Sequence, residues 1–301
     1  MDMRIAFIIN SNSSKARKAF DAIGHQLVHE HEVFFTIGIG SAKNIASECL
    51  KKNFTHFVVF GGDGTLNEVF NAMMNCGLQA DELPILCIHP CGTGNDFARN
   101  LQINNKTEDF LRRLDSGEVR YSDGGHASYK NTKGQDEQRY FINAMDAGLG
   151  GLIAQRVNEY RRGRLAFLSY QRSIIRTLPF YSKRNVNIKI PFEIYGGPAL
   201  SVVIANGKWF GNGLGIAPEA EILSGYLECI ILAKVNTWDY ILNLPRIIRC
   251  KKIKHLQVHY KRVKEIIIEG ENNPIEMDGE FVGTSPVHIR VIPRAVRLLV
   301  G

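Results

Sequence analysis

The chain has 301 residues, 45% hydrophobic and 22% charged, with a formal net charge of +7. That length is generous for one domain and comfortable for two. No stretch approaches the roughly 18 consecutive apolar residues of a membrane-spanning helix. The opening MDMRIAFIINSNSS has too little apolar content, and no cleavage-like end, for a secretory signal; the expected compartment is the cytoplasm. The six cysteines (Cys49, Cys76, Cys87, Cys91, Cys229, Cys250) form no CxxC pair, so reduced, mostly buried thiols are expected rather than a disulfide or zinc framework. The nine histidines show no HExxH or comparable ligand spacing.

Up to about residue 122 the pattern alternates. Strands are expected at 4–9, 32–38, 57–60 and 85–88, with helices near 14–30, 42–52, 66–76, 95–102 and 107–116. This order predicts an open, mostly parallel sheet with helices on both faces, in which ligands bind beyond the carboxyl ends of the strands. Three strand ends are polar and turn-like: Asn10 to Ser13, Gly61 to Thr65, and Pro90 to Asp96. In FVVFGGDGTLNEVFNAMM (57–74), a continuous apolar run meets three glycines, and Leu66, Val69, Phe70 and Met73 then fall on one helix face. Such a strand-to-helix turn suits a phosphate at a helix N-terminus. A tight turn capped by Thr65 is the plainer alternative.

Beyond residue 122 strand-like segments dominate: 121–129, 138–145, 185–194, 199–206, 226–233, 255–260, 263–270 and 287–292. One helical interlude interrupts at about 151–181. The expected organisation is an α/β nucleotide-binding domain over 1–122 and an antiparallel β domain over 123–293. The apolar tail, residues 294–301, returns to the first domain. Charge follows this division: residues 1–122 hold 12 Lys/Arg against 14 Asp/Glu, and residues 123–301 hold 25 against 16. The basic second part suggests an acidic partner: a membrane surface, a nucleic acid or a phosphorylated substrate. No recognised nucleic-acid module accompanies it, so no nucleic acid is expected.

Two turns carry the functional reading. GGDGTLNE at 61–68 and PCGTGNDFAR at 90–99 together resemble the catalytic domain of the diacylglycerol kinase and sphingosine kinase superfamily, especially the soluble bacterial lipid kinases. Asn143 to Gly150, Arg161 to Phe167, Ala205-Asn206-Gly207 with Gly211-Asn212-Gly213, Ala217-Pro218 and Met277-Asp278-Gly279-Glu280 extend the resemblance through most of the chain. It implies an NAD kinase/diacylglycerol kinase-like fold: a doubly wound α/β domain followed by an antiparallel β-sandwich. It also implies an ATP- and Mg²⁺-dependent lipid kinase.

On that resemblance, backbone N–H groups of Gly61, Gly62 and Gly64 cradle the β/γ-phosphates. Asp63 holds Mg²⁺ directly or through water, and Thr65 bonds phosphate or caps the helix. Glu68, Gly92, Thr93 and Asn95 join the nucleotide site, with Asn10 and Ser13 at the first strand end. Asp96 is either functional or a helix cap. Asp278 is expected as the general base, with Glu280 orienting it or assisting the metal; without the family, Asp278-Gly279 reads as a hairpin turn. Arg161 and Arg164 face either phosphate or solvent.

Two places depart from the family. Ser11 and, nearby, Ser14 stand where the family usually has a Pro and a Gly after the first strand's Asn. Ser224 stands where an acidic residue helps some bacterial relatives to build a structural metal site, which puts such a site in doubt here. Gly148 to Ile153 comes near a dinucleotide fingerprint but lacks its last glycine and the acidic residue that should follow.

The acceptor, diacylglycerol first, with a sphingoid base, phosphatidylglycerol or a polyprenol as alternatives, is reached at the inner membrane face by peripheral binding. Arg246, Arg249, Lys251, Lys252 and Lys254, followed by Lys261, Arg262 and Lys264, supply a basic surface. Phe167, Leu168, Tyr170, Ile174, Ile175, Leu178 and Phe180 are candidates for an acyl-chain cleft or for core. A soluble NAD kinase-like enzyme and a non-catalytic nucleotide- or lipid-binding regulator stay open as alternatives, as does a homodimer.

Overall fold

Apolar strand runs followed by amphipathic helices set the first part of the fold. A computed structural model describes residues 3–159, 174, 176–191, 193–270 and 272–301. It divides into two compact units, Met1–Asp123 with Arg294–Gly301, and Gly124–Pro293.

In the first unit, β1 (Arg4–Ile9), β2 (Glu30–Phe35), β3 (His56–Gly61) and β4 (Ile85–Pro90) form a parallel sheet in the order β4-β3-β1-β2. The end of the last strand, β15 (Glu280–Val300), joins in parallel beside β4 at Leu298 and Leu86. The helices α1 (Ser14–Ile23), α2 (Ser41–Cys49), α3 (Asp63–Met74), α4 (Asp96–Asn100) and α5 (Thr107–Ser116) connect and follow these strands. β3 is buried at every residue, as the continuous apolar run requires when both faces are covered. Phe60 stacks on His89 (centroids 4.5 Å apart) and meets Phe110 edge-on at 5.3 Å.

Several boundaries differ from expectation, β2 and α2 among them. The helix expected over 14–30 ends at Ile23, and Gly24–Gln26 form a single 3₁₀ turn. The helix expected from residue 66 begins at Asp63, because the first helical bond runs from Leu66 N–H to Gly62 C=O (3.1 Å). Asp63, Gly64 and Thr65 therefore form the first helical turn rather than the loop before it.

The second unit is antiparallel. β12 (Val258–Val263), β11 (Leu227–Leu232), β10 (Ser201–Ala205), β7 (Ala144–Gly148), β14 (Pro274–Met277) and the start of β15 form one sheet. β15 then pairs with β13 (Glu265–Glu269), which leads through β8 (Arg184–Ile190) to β9 (Glu193–Ala199). β5 (Glu118–Asn131) pairs with β6 (Asp136–Phe141). The two-residue side-chain period decides the layers. Val202, Ile204, Cys229 and Ile231 point into the core shared with Val186, Ile188, Ile266 and Ile268. Val203, Ala205, Ile230 and Leu232 point the other way, into a second core. That second core is closed by α6 (Leu149–Glu159) and α7 (Thr237–Ile248).

The strand-dominated pattern expected here thus also contains a helix, α7. It is opened by a capping box in which Asn236 accepts from Asp239 N–H and Asp239 from Asn236 N–H. The strand expected over 138–145 is two strands, broken at Ile142-Asn143. Arg161, Arg164, Phe167, Leu168, Tyr170 and Ile175 lie outside the described residues. Of the remaining cleft candidates, Ile174 and Leu178 are buried and Phe180 is exposed.

Candidate functional site

In the first unit, chain order and sheet order part company between β1 and β3, the position where open α/β sheets bind ligands. The carboxyl ends of these strands place Asn10 beside the GGDGT element. Asn10 N–H donates to Phe60 C=O (2.9 Å), and Asn10 Nδ2 donates to Thr65 Oγ1 (3.1 Å). Thr65 is thus at the third helical position and does not cap α3; the N-cap is Gly62, which has no side chain to offer. The N–H groups of Gly64 and Thr65 precede the first intrahelical bond and lie at the positive end of the helix dipole, while the Asp63 N–H bonds its own carboxylate.

The second turn is locked onto the first. Cys91 N–H donates to Gly61 C=O (2.8 Å). A Cβ on Gly92 would lie 2.5 Å from Gly62 Cα, and one on Gly61 would lie 2.7 Å from Thr65 Cβ. Gly62 itself is extended (φ −103°), so it is close backbone approach, not a left-handed conformation, that requires glycine. Asp63 completes the brace: its Oδ2 accepts from Asp96 N–H (3.2 Å) and its Oδ1 from Phe97 N–H (3.1 Å). It thereby caps α4 from another segment. Asp96, considered as that cap, is instead the first helical residue, and Asn95 precedes it in the left-handed region (φ 52°). Burial pushes the Asp63 carboxyl up from its ordinary value, against the backbone N–H donors that favour the anion.

The other nucleotide candidates divide. Asn95 closes its own turn, accepting from Gly92 N–H (2.8 Å) and donating to Gly92 C=O (3.0 Å). Thr93 is exposed at the tip. Ser13 caps α1 by accepting from Ala16 N–H (3.2 Å) and donates to Cys91 C=O (3.1 Å). Glu68 accepts from the N–H groups of Gly40, Ala42 and Lys43, fixing the start of α2. Ser11 donates to Thr36 C=O.

In the second unit, Asp278 and Gly279 form the two-residue turn between β14 and β15, both with positive φ (47° and 88°), as a primed hairpin requires. The Asp278 carboxylate accepts from the N–H groups of Ile142 (2.8 Å), Asn143 (3.0 Å) and Ala144 (2.9 Å). These bonds cause the break between β6 and β7. Glu280 pairs with Arg139 (2.5 Å), not with Asp278. Ser224 makes a local turn with Tyr226.

The second core of this unit contains an apolar pocket walled by Leu149, Ile153, Phe210, Leu214, Tyr240 and Ile247 among others. Asp146 lies in its lining. It accepts from Ser201 Oγ (2.7 and 2.8 Å) and Gly150 N–H (3.2 Å), and burial pushes its carboxyl up to about 7. In the sequence Asp146 carries no role beyond its place in the family-like segment Asn143 to Gly150. The signal was an acid in an otherwise apolar strand, NAMDAG. The nearby glycines pack against protein: a Cβ on Gly150 would meet Asp146 Oδ2 at 2.3 Å, and one on Gly151 would meet Pro274 O at 2.1 Å.

The nucleotide and its metal can be tested against these residues. The N–H groups of Gly64 and Thr65 at the start of α3 suit polyphosphate. A divalent cation needs about six oxygen ligands, whereas no group of three or more His, Cys, Asp or Glu residues suited to a metal occurs among the described residues. The start of α3 fits the phosphates of a nucleotide, whereas both Asp63 oxygens are already taken by the N–H groups of Asp96 and Phe97.

Comparison with known proteins agrees with this layout. Residues 4–127 match the diacylglycerol kinase catalytic domain, and residues 143–300 match the YegS C-terminal NAD kinase beta sandwich-like domain. The chain belongs to the family of diacylglycerol kinase and YegS-type lipid kinases. It is 26% identical over 260 residues to a diacylglycerol kinase of Staphylococcus saprophyticus, covering 85% of this chain and 80% of that protein. It is 28% identical over 259 residues to a probable lipid kinase YegS-like protein of Yersinia pestis, covering 86% and 83%. The crystal structure of a putative diacylglycerol kinase from Bacillus anthracis superposes with a TM-score of 0.79 at 19% identity, over 100% of this chain and 98% of that one. The fold of the family, an α/β unit followed by a β-sandwich-like unit, is the fold seen here. Among the described residues no helix is long and apolar enough to cross a membrane.

Proposed function

We propose that this lipid kinase transfers the γ-phosphoryl group of MgATP to the hydroxyl of a membrane lipid, with diacylglycerol as first choice. The observation that carries the reading is the Asp63 brace, which joins GGDGT and GTGND into one rigid element with the open N–H turn of α3 at its face. Phosphoryl transfer depends mainly on positioning and charge stabilisation, and a braced backbone supplies both without side-chain entropy to lose. The nucleotide-borne Mg²⁺, when bound, supplies neutralisation of phosphate charge. Gly64 and Thr65 orient the phosphates through N–H, and Asn10 fixes the Thr65 hydroxyl.

Asp278 is proposed to take the proton of the acceptor hydroxyl, its carboxylate held in a single orientation by three backbone N–H groups. Asp63 is the second candidate for that role, since a carboxyl raised by burial is better matched to proton transfer near neutral pH. The apolar pocket of the second unit suits an acyl chain, with Asp146 and Ser201 as the polar group set in it.

The test is transfer of radiolabelled γ-phosphate from ATP with Mg²⁺ into diacylglycerol, a sphingoid base, phosphatidylglycerol and a polyprenol in mixed micelles, with NAD as a soluble control. Labelled phosphatidic acid is the expected product. Label in NAD alone, or ATP binding without transfer to any acceptor, would overturn the proposal. The pH–rate profile separates the two acids. Loss of the acidic limb in Asp63→Asn, with the limb retained in Asp278→Asn, would move the base assignment to Asp63.

A further inference from the structure

α7 has two different faces. Its inner face belongs to the second core of the β unit, where Tyr240, Asn243 and Ile247 line the apolar pocket. Its outer face presents Trp238, Ile241, Leu242 and Ile248, with 72%, 40%, 74% and 56% of their surface open to solvent. Positions 238, 241, 242, 245, 248 and 249 follow helical spacing, so these side chains form one continuous stripe. Pro245, also exposed, cannot donate to the carbonyl of Ile241. That carbonyl needs water or a polar headgroup, which excludes deep burial of the stripe in hydrocarbon and suits an interface.

The chain leaving α7 carries Arg249, Lys251 and Lys254, all exposed, and then Leu256, 93% exposed. Among the described residues none of these three cations is paired with an acid. By contrast Lys252, in the same run, pairs with Glu219 (2.7 Å) and His255 lies against Asp239 (3.4 Å). An apolar stripe containing tryptophan, ended by unpaired cations, is the pattern of a helix lying in the plane of an anionic membrane surface.

We propose that the outer face of α7, from Trp238 to Ile248, with Arg249, Lys251, Lys254 and Leu256, docks this protein on an anionic lipid bilayer. The stripe supplies the shallow apolar insertion and the three cations supply selection for anionic headgroups. Because the same helix walls the pocket on its other side, docking sets the pocket's wall against the layer that holds the acceptor. This deepens the lipid-kinase reading by naming its membrane surface, but it is tested by binding alone, without nucleotide or turnover.

The experiment is cosedimentation of the full chain with vesicles of phosphatidylcholine, with or without phosphatidylglycerol. Trp238 emission is followed in a Trp209→Phe background. The expected result is binding that needs phosphatidylglycerol and weakens with salt, a blue shift of Trp238, and its quenching by bromine-labelled acyl chains. Leu242→Asp should weaken binding at least tenfold. Removing Arg249, Lys251 and Lys254 together as alanines should weaken it on the order of a hundredfold, at about fivefold per cation near a charged surface. Both sets change only exposed side chains, and unchanged thermal unfolding would establish that they fold. Equal binding to both vesicle types, full binding by Leu242→Asp, or an unquenched Trp238 would overturn the proposal. So would a dimer in solution that Leu242→Asp dissociates, since the stripe would then be a contact between two copies of the chain. Loss of kinase activity with vesicle binding intact would count against the kinase reading and leave this one standing.

Discussion

Gly62 and Gly92 stand thirty positions apart in sequence and touch backbone to backbone: a Cβ on Gly92 would lie 2.5 Å from Gly62 Cα and 2.8 Å from Asn95 Oδ1. Neither neighbour can yield easily, the first being main chain and the second held by Gly92 N–H. Gly92→Ala should therefore force the two turns apart. The expected cost is about 1–3 kcal/mol, as for an overpacked site, with loss of nucleotide affinity. Urea unfolding and titration with a fluorescent ATP analogue check both. An alanine variant with unchanged affinity would mean that the contact of the turns does not shape the phosphate site.

Asp63 serves the same brace from the other direction, through its bonds to Asp96 and Phe97 N–H. Asp63→Ala leaves both donors without an acceptor, and each such donor costs about 1–3 kcal/mol. Asp63→Asn keeps one acceptor oxygen and should unfold nearer to wild type. Both should lose phosphoryl transfer by at least about a hundredfold if the carboxylate acts in the reaction as well as in the brace. Retained turnover in Asp63→Asn would reduce the residue to a structural one.

The sequence patterns were most legible where one physical cause dominates. β1, β3 and β4 showed in the first unit because buried strands read as apolar runs, whereas the half-buried β2 lies earlier in the chain than the pattern suggested. The two turns stood out because glycines with an aspartate lie between an apolar strand and a helix. That Asp63 would cap α4 was not legible: a carboxylate offered to another segment's N–H groups leaves the same residues as one offered to a metal. Glu68 is similar, its role at the start of α2 depending on a tertiary contact. The break at Ile142-Asn143 was hidden because its cause, Asp278, lies more than 130 positions away. α7 was missed because Trp238, Ile241, Leu242 and Ile248 face outward while Tyr240, Leu244 and Ile247 pack inward, so apolar residues on both sides blur the usual amphipathic pattern.

His89 is buried against Phe60 and Phe110, and among the described residues neither ring nitrogen has a hydrogen-bond partner. Burial, with the Arg113 charge assisting, pushes its pKa down to about 4. The unfolded chain binds the proton near pH 6.5, so between about pH 6.5 and 4 the unfolded state holds more protons. Stability is then lost as pH falls through that window. His89→Phe, one ring for another, should remove this loss, worth on the order of 3 kcal/mol by pH 4 relative to wild type. Unfolding midpoints of the two proteins that fall in parallel from pH 7 to 4 would contradict the assignment.

Asp146 should show the opposite sign. Its carboxyl is pushed up to about 7 by burial, against hydrogen bonds from Ser201 and Gly150, while the unfolded chain releases the proton near pH 3.9. Between these values the folded state holds the extra proton, so this group's contribution to stability falls as pH rises and is gone above about 7. Asp146→Asn has nearly the same shape. It keeps an oxygen for Gly150 N–H and can donate to Ser201, whose hydroxyl rotates to accept. It should therefore gain on wild type steadily from pH 4 to 7, by a total on the order of 4 kcal/mol, then run parallel above pH 7.5. Denaturant midpoints across that range give the difference directly. A flat difference would mean that Asp146 is ionised in the fold throughout the range, and the pocket would then carry a permanent negative charge, a poor lining for a neutral acyl chain. A rising one would fix the pocket as uncharged below neutral pH and anionic above it, and acyl-chain binding should then weaken across the same window in wild type but not in Asp146→Asn.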